Sequence, residues 1–240
     1  MAEARDAAAA RLAAHLAGVT LLRSSAYADP AVKAAAMALK AWQSARLART
    51  YPDLLASPRY RAAALFFLND LYGPKDFSRR DEDVARILPK LRALLPVAAL
   101  SAIADAVALD ELSEALDLAV LRALEPAVEI TEPRYAEAYR SGSTQAERTH
   151  QIGLTQRICT GVDQLTHIPL MVTTLKLMRA PARLAGLADL QHFLENGFVT
   201  FKGMDGADHF LAVILRRETL LMERLFAGAP EPFAGLTETG

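Results

Sequence analysis

Residues 66–81 read FFLNDLYGPKDFSRRD, and they decide the fold class because they show how one helix ends and the next begins. Phe67, Leu68, Leu71 and Tyr72, with Leu65 before them, continue an apolar stripe at helical spacing from a start at Ser57, with Pro58 in the first turn. Gly73 stands where a helix takes a left-handed C′ residue, and Pro74 forbids continuation. Ser78 and Asp81, three apart ahead of Val84, Ile87, Leu91 and Leu95, then read as a capping box with aspartate in place of the usual Glu or Gln. The stretch therefore predicts a helix, a short joint and a second helix, the latter kinked at Pro89.

The same signals recur outward in both directions. Upstream, amphipathic helices are predicted over Glu3–Arg23 and Pro30–Arg49, the second opened by Asp29 as N-cap, with Trp42 as a core anchor. Downstream, the chain is helical from Val97, with Asp110 as the N-cap of a segment carrying Leu112, Leu116, Val120 and Leu124, and it stops near Pro126. Thr131 and Pro133 start a short helix through Tyr139. Thr144–Met178 is the longest periodic segment, which Pro169 must bend or split before the Ala180-Pro181 step ends it. A helix over Leu187–Lys202 closes at Gly203, and Asp205 caps one that runs toward Gly228. Gly161 and Gly197, inside helical patterns, predict close helix approach or a break.

No alternating strand pattern and no fixed repeat occurs. The expected architecture is all-α: one helical-bundle domain over residues 1–228, of roughly nine to eleven helices, with a possible division into two subdomains at a hinge near 141–143. Residues 229–240, rich in Pro and Gly, are expected to form a loose tail.

Composition agrees, because Ala, Leu, Arg and Glu abound and these residues lose least on entering a helix. Apolar residues make up 52% and charged residues 23% of the chain, the balance of a protein able to bury a core. The net charge of −1, spread evenly, lacks the basic footprint that nucleic-acid binding requires. Leu12–Leu22 followed by Ala26-Tyr27-Ala28 imitates a secretory leader, but Glu3, Asp6, His15 and Arg23 break its pattern. The apolar run Ala93–Ala104, broken by Pro96, is far short of the ~20 residues of a membrane span. The single cysteine, Cys159, reads as a small buried hydrophobe and, with no pairing partner, fits a reducing cytoplasm.

Chemistry-bearing patterns concentrate in the last hundred residues. Glu147–His150 and His192–Glu195 are spaced i, i+3, and Asp163–His167 and Asp205–His209 are spaced i, i+4, so each pair shares a helical face. Converging pairs of this kind hold iron or manganese in helical di-metal oxidases, and the Asp-x-x-x-His form suits a haem-oxygenase-like site. Alternatively, His167 or His192 could ligate haem iron. Phe193, Phe198, Phe201 and Phe210 are placed to line an apolar pocket. No phosphate loop, nucleophile elbow or paired C-x-x-C is present, so no enzymatic activity is assigned.

The run Phe66-Phe67-Leu68-Asn69-Asp70-Leu71-Tyr72 resembles the hallmark of the bacterial FFLEELY-motif proteins, a helical family. The likeness extends to Tyr51-Pro52-Asp53-Leu54-Leu55, Arg59-Tyr60, the Asp76–Asp81 segment and Phe193-Leu194-Glu195, with Asn69 and Asp70 in place of two glutamates. It implies an all-α fold, a bacterial origin and a cytoplasmic setting, and it implies no activity. Two functional expectations follow from the residues. The first is a helical binding protein that engages a partner protein or an apolar small molecule, using the aromatic face or a polar patch of Arg59, Asp70, Asp76, Arg79, Arg80 and Asp81. The second is an iron- or haem-dependent oxidoreductase built on the carboxylate–histidine pairs. A homo-oligomer is compatible with either.

Overall fold

A computed structural model describes residues 2–71, 73, 77–124 and 129–238 and is helical throughout, with no strand among the described residues. The helices are α1 (Ala2–Ala26), α2 (Pro30–Thr50), α3 (Pro52–Ala56), α4 (Arg61–Phe66), α5 (Ser78–Leu94), α6 (Val97–Ala123), α7 (Glu132–Ser141), α8 (Gln145–Thr166), α9 (Met171–Leu177), α10 (Arg179–Leu184), α11 (Ala188–Gly203) and α12 (Asp208–Phe226). A π-helical turn, Phe67–Leu71, extends α4, and a 3-10 turn, Leu236–Glu238, follows α12.

The central element is α6, which packs against both α1 and α8, and α8 in turn packs against α12. Along α1, Leu12, Leu16 and Val19 are buried at helical spacing against Leu100, Ala104 and Val107 of α6 and Val84 of α5. Burying each such aliphatic side chain contributes about 1.5–3 kcal/mol, which is enough to hold a helix of otherwise weak amphipathic contrast. A second core joins Tyr51, Leu54, Tyr60, Phe66 and Phe67 to Phe201 and Phe210. A third joins Leu39 and Val120 to Tyr135, Tyr139, Leu221 and Leu225. Trp42 belongs to this third core, its ring 4.3 Å from that of Tyr135.

Several boundaries follow the sequence signals. Asp29 caps α2 by accepting from Ala31 N at 2.8 Å, and Thr144 and Glu147 form a full capping box at α8. After α8 the chain breaks at Leu170, whose φ of 65° is left-handed, so the Pro169 region splits the long periodic segment. Gly197 lies where an added Cβ would come within 2.8 Å of the Phe66 ring, so close approach of α11 to α4 explains its glycine. At Gly161 the same atom would make only ordinary contact, at 3.6 Å with Ala102.

Other expectations are corrected. The helix expected from Ser57 starts at Arg61, because the Ser57 carbonyl closes a turn onto Tyr60 N and Arg61 N first, and α3 precedes it. α5 is capped by Phe77 with no side-chain bond, because Asp81 turns inward. Asp110 lies within an unbroken α6 and caps nothing. Pro181 sits in the first turn of α10, where a missing N–H is harmless, instead of ending a helix. Asp205 takes a left-handed φ of 51° ahead of α12; Ala207 occupies the N-cap, and its N–H donates to Asp163 Oδ1 at 3.2 Å. Pro74 and Pro126 lie outside the described residues. Gly73 is described: a Cβ there would meet Asn69 O at 2.4 Å, so only glycine fits that close to the helix end.

The C-terminal segment, expected to be loose, folds back onto the bundle. Leu236 is buried in the third core with Phe233 against it, and the ring of Phe233 lies 6.1 Å from that of Trp42. Arg217, buried in α12, clamps the segment by donating to Thr237 O at 3.2 Å while binding both carboxylate oxygens of Asp53. By contrast, α9 buries no residue and α10 only Ala182, leaving Leu170, Leu177 and Leu184 exposed.

Candidate functional site

Where α2, α4, α6, α7, α8 and α12 meet, they line a partly open cavity of about 130 Å³. α2 supplies Gln43, Arg46 and Leu47, and α6 supplies Ser113 and Asp117; α7 adds Tyr135 and Tyr139, α8 adds Arg148, Gln151, Ile152 and Thr155, and α12 adds Phe210, Ile214, Leu215 and Glu218. Tyr51, Leu54, Ala64, Phe67 and Leu68 close the remaining wall. The π turn places Phe67 and Leu68 there. Its i→i+5 winding carries an extra residue in the turn, a distortion that recurs at functional sites, and the Leu68 carbonyl receives Ser44 Oγ at 3.2 Å.

The cavity lining carries two chemistries. Part of it is apolar: Leu47, Leu54, Ala64, Phe67, Ile152, Phe210 and Ile214. The rest is a hydrogen-bonded polar set. Arg46 Nη1 donates to Glu218 Oε1 at 2.6 Å, and the Tyr51 hydroxyl donates to the same oxygen at 2.7 Å. Gln43 Nε2 donates to Asp117 Oδ1 at 2.8 Å. Arg148, only 4% exposed, donates through Nε to Ser143 Oγ at 3.1 Å and through Nη1 to Gln151 Oε1 at 3.0 Å, and it stacks 4.1 Å over the Tyr139 ring. Two buried N–H groups of this wall, Arg46 Nε and Arg148 Nη2, have no acceptor. Such orphans are rare because an unmade buried hydrogen bond costs about 1–3 kcal/mol.

Burial also shifts the acids of this wall. Desolvation raises the Asp117 carboxyl above the ordinary aspartate range, against the opposing hydrogen bond from Gln43 and the charges of Lys40 and Arg148. The Tyr51 hydroxyl is pushed well up by burial and by the Glu218 charge, so it stays a donor. A wider groove of about 650 Å³ runs between α2, α7 and the C-terminal segment. Arg49 and Arg140 on it are engaged, the first on Glu132 at 3.3 Å and the second on Leu225 O at 3.1 Å. Arg46 lines both hollows, but only the inner cavity also takes in Arg148, and it is the candidate site.

The expected site residues fall in different places. Of the four phenylalanines, Phe210 reaches the cavity; Phe201 is buried beside Phe67, Phe193 lies 5.4 Å from Phe66, and Phe198 is buried in α11. Of the polar patch, Arg59 is tied to the Met204 and Asp205 carbonyls at 2.6 and 2.7 Å. Arg80 and Asp81 enter a buried ion network. Its centre is Arg23 of α1, 2% exposed, which binds Asp81, Asp110 at 2.7 Å and Glu114 at 3.0 Å. Arg80 adds a second bond to Asp110 at 2.9 Å, and Lys40 one to Glu114 at 2.9 Å. Three cations face three carboxylates, so the network is balanced and holds α1, α2, α5 and α6 together. Arg79 is exposed, Asp70 sits in the π turn, and Asp76 lies outside the described residues.

The carboxylate–histidine pairs stay apart. His150, His167, His192 and His209 are all exposed, and among the described residues no three His, Cys, Asp or Glu side chains gather as metal ligands. Glu147 caps α8, Asp163 accepts from Ala207 N, Glu195 is held by Arg179, and His209 stacks on Tyr60. Cys159 is 1% exposed, and burial pushes its thiol up to about 12, so it serves as packing. The residues that line the cavity's polar wall escape sequence reading because they come from separate helices. One signal was available: Gln43 and Arg46 interrupt the apolar arc of Leu39, Trp42 and Leu47, and polar residues on a buried face mark a site or a network.

The chain matches the family described as Domain of unknown function (DUF8198) over residues 22–232, and it belongs to that family. No curated protein and no solved structure matches it.

Proposed function

We propose that this member of the DUF8198 family is a helical binding protein for a small amphipathic molecule, held in the cavity between α2, α6, α8 and α12. One observation carries the reading: a cavity of about 130 Å³ lined by apolar side chains together with two arginines, Arg46 and Arg148, each of which keeps a buried N–H without an acceptor. Ligand sites characteristically combine apolar walls with a few placed polar groups. A closed apolar cavity of about 150 Å³ holds benzene, so a partly open one of about 130 Å³ suits a ligand with a single small ring and a polar group. The likeness to the FFLEELY-motif proteins adds a bacterial, cytoplasmic setting to the proposal, and the motif's Phe67 and Leu68 would then serve as cavity wall. No particular observation favours the iron or haem reading over this one.

Benzyl alcohol is a suitable probe. Titrated against the isotope-labelled protein, it is expected to shift amide signals of Ala64, Ile152 and Ile214. Ala64→Leu, which extends a buried side chain of α4 into the cavity, is expected to abolish those shifts. The same change should raise stability by about 0.5–2 kcal/mol, as cavity filling does. Unchanged binding in A64L, or shifts confined to residues 228–237 of the outer groove, would refute the reading.

A further inference from the structure

We infer that the cavity takes a small apolar monocarboxylate, its carboxylate facing Arg148 and Arg46 and its apolar body against Phe67, Ile152 and Ile214. This rests on the ligand-binding reading above and adds the ligand's charge. Arg148 is the reason. It is buried, and its hydrogen-bond partners are the Ser143 hydroxyl and the Gln151 amide oxygen, both neutral. No carboxylate lies within ion-pair distance of it among the described residues. A guanidinium is always charged, and a buried charge is normally paired.

The hydrogen bonds of the lining point the same way. Arg46 is matched by Glu218 at 2.6 Å, whereas the side-chain acceptors of Arg148 are neutral. Each of the two arginines also keeps one N–H without an acceptor, Arg46 Nε and Arg148 Nη2. A monocarboxylate supplies one negative charge and two acceptor oxygens, the geometry that guanidinium groups bind best. A cation would face two arginines, and a neutral apolar molecule would leave both N–H groups unmet.

Calorimetric titration of the full chain at neutral pH with benzoate, benzyl alcohol and benzylamine tests the assignment. Benzoate is expected to bind at least tenfold more tightly than benzyl alcohol, and benzylamine not to bind measurably. In Arg148→Met the benzoate-to-benzyl alcohol ratio should fall below about twofold. Arg148→Lys, which keeps the charge and loses the fork, covers the case of a poorly folded methionine variant and should give an intermediate ratio. Benzyl alcohol binding as tightly as benzoate, or a ratio indifferent to both substitutions, would overturn the carboxylate while leaving the cavity reading standing. Failure of all three probes to bind would overturn both.

Discussion

Asp81 illustrates how a residue's surroundings change its role. Spaced three from Ser78 at a helix start, it has the form of a capping carboxylate, yet it is 2% exposed and bonded to Arg23, 58 residues away in sequence. Burial, reinforced by the nearby Asp110 charge and opposed by Arg80 and Arg23, raises its carboxyl to about 6. An acid whose pKa is higher folded than unfolded binds its proton more tightly in the native state. Its ionisation therefore disfavours folding above pH 6, and that penalty is relieved as pH falls through 6 toward the unfolded value near 4. The full gain between the two values is on the order of 2 kcal/mol. Asp53, Glu147 and Glu195 have lowered values, so their stabilisation is lost only at more acidic pH. Chemical denaturation at pH 7 and pH 5 should show wild type gaining stability relative to Asp81→Asn over that interval. Parallel pH profiles for the two proteins would count against the raised value. Asp110, bonded to Arg23 from within α6, shows the same limit of sequence reading. A short acid near a helix boundary is legible as a cap, whereas a buried arginine waiting on another helix is not.

At the scale of single elements, legibility followed locality. The starts of α2 and α8 were readable because both cap partners lie within three residues, as in Asp29 to Ala31 and Thr144 to Glu147. The split near Pro169 was readable because proline acts on its own backbone. The π turn at Phe67–Leu71 was hidden, since its residues carry an ordinary helical stripe and only packing against α2 and the cavity exposes the extra residue in the turn. α9 and α10 are helices by local pattern but bury almost nothing. Elements with few buried contacts open at low free-energy cost. Hydrogen exchange is therefore expected to be at least about a hundredfold faster in 171–184 than around Leu154 and Cys159 of α8. Equal protection in both stretches would mean that α9 and α10 are covered by something other than this bundle.

For the whole molecule, an all-α bundle was visible in composition and periodicity because those signals repeat in every helix. The cavity was not visible, because Tyr51, Arg46, Asp117, Arg148 and Glu218 come from four helices and one helix junction, whose convergence is a tertiary fact. The expected pocket phenylalanines were real core residues, and one of them, Phe210, also reaches the cavity, whose polar lining comes from Gln43, Arg46, Asp117, Arg148 and Glu218. Likewise, Arg80 and Asp81 of the charged stretch after the π turn are engaged inside the fold, in the ion network centred on Arg23. The most direct test of the central claim is a crystal structure of the protein grown with benzoate. The account predicts one benzoate in the cavity, its ring against Phe67 and Ile152 and its carboxylate within hydrogen-bond distance of Arg148 Nη2. A cavity holding only water while benzoate occupies another surface would contradict it.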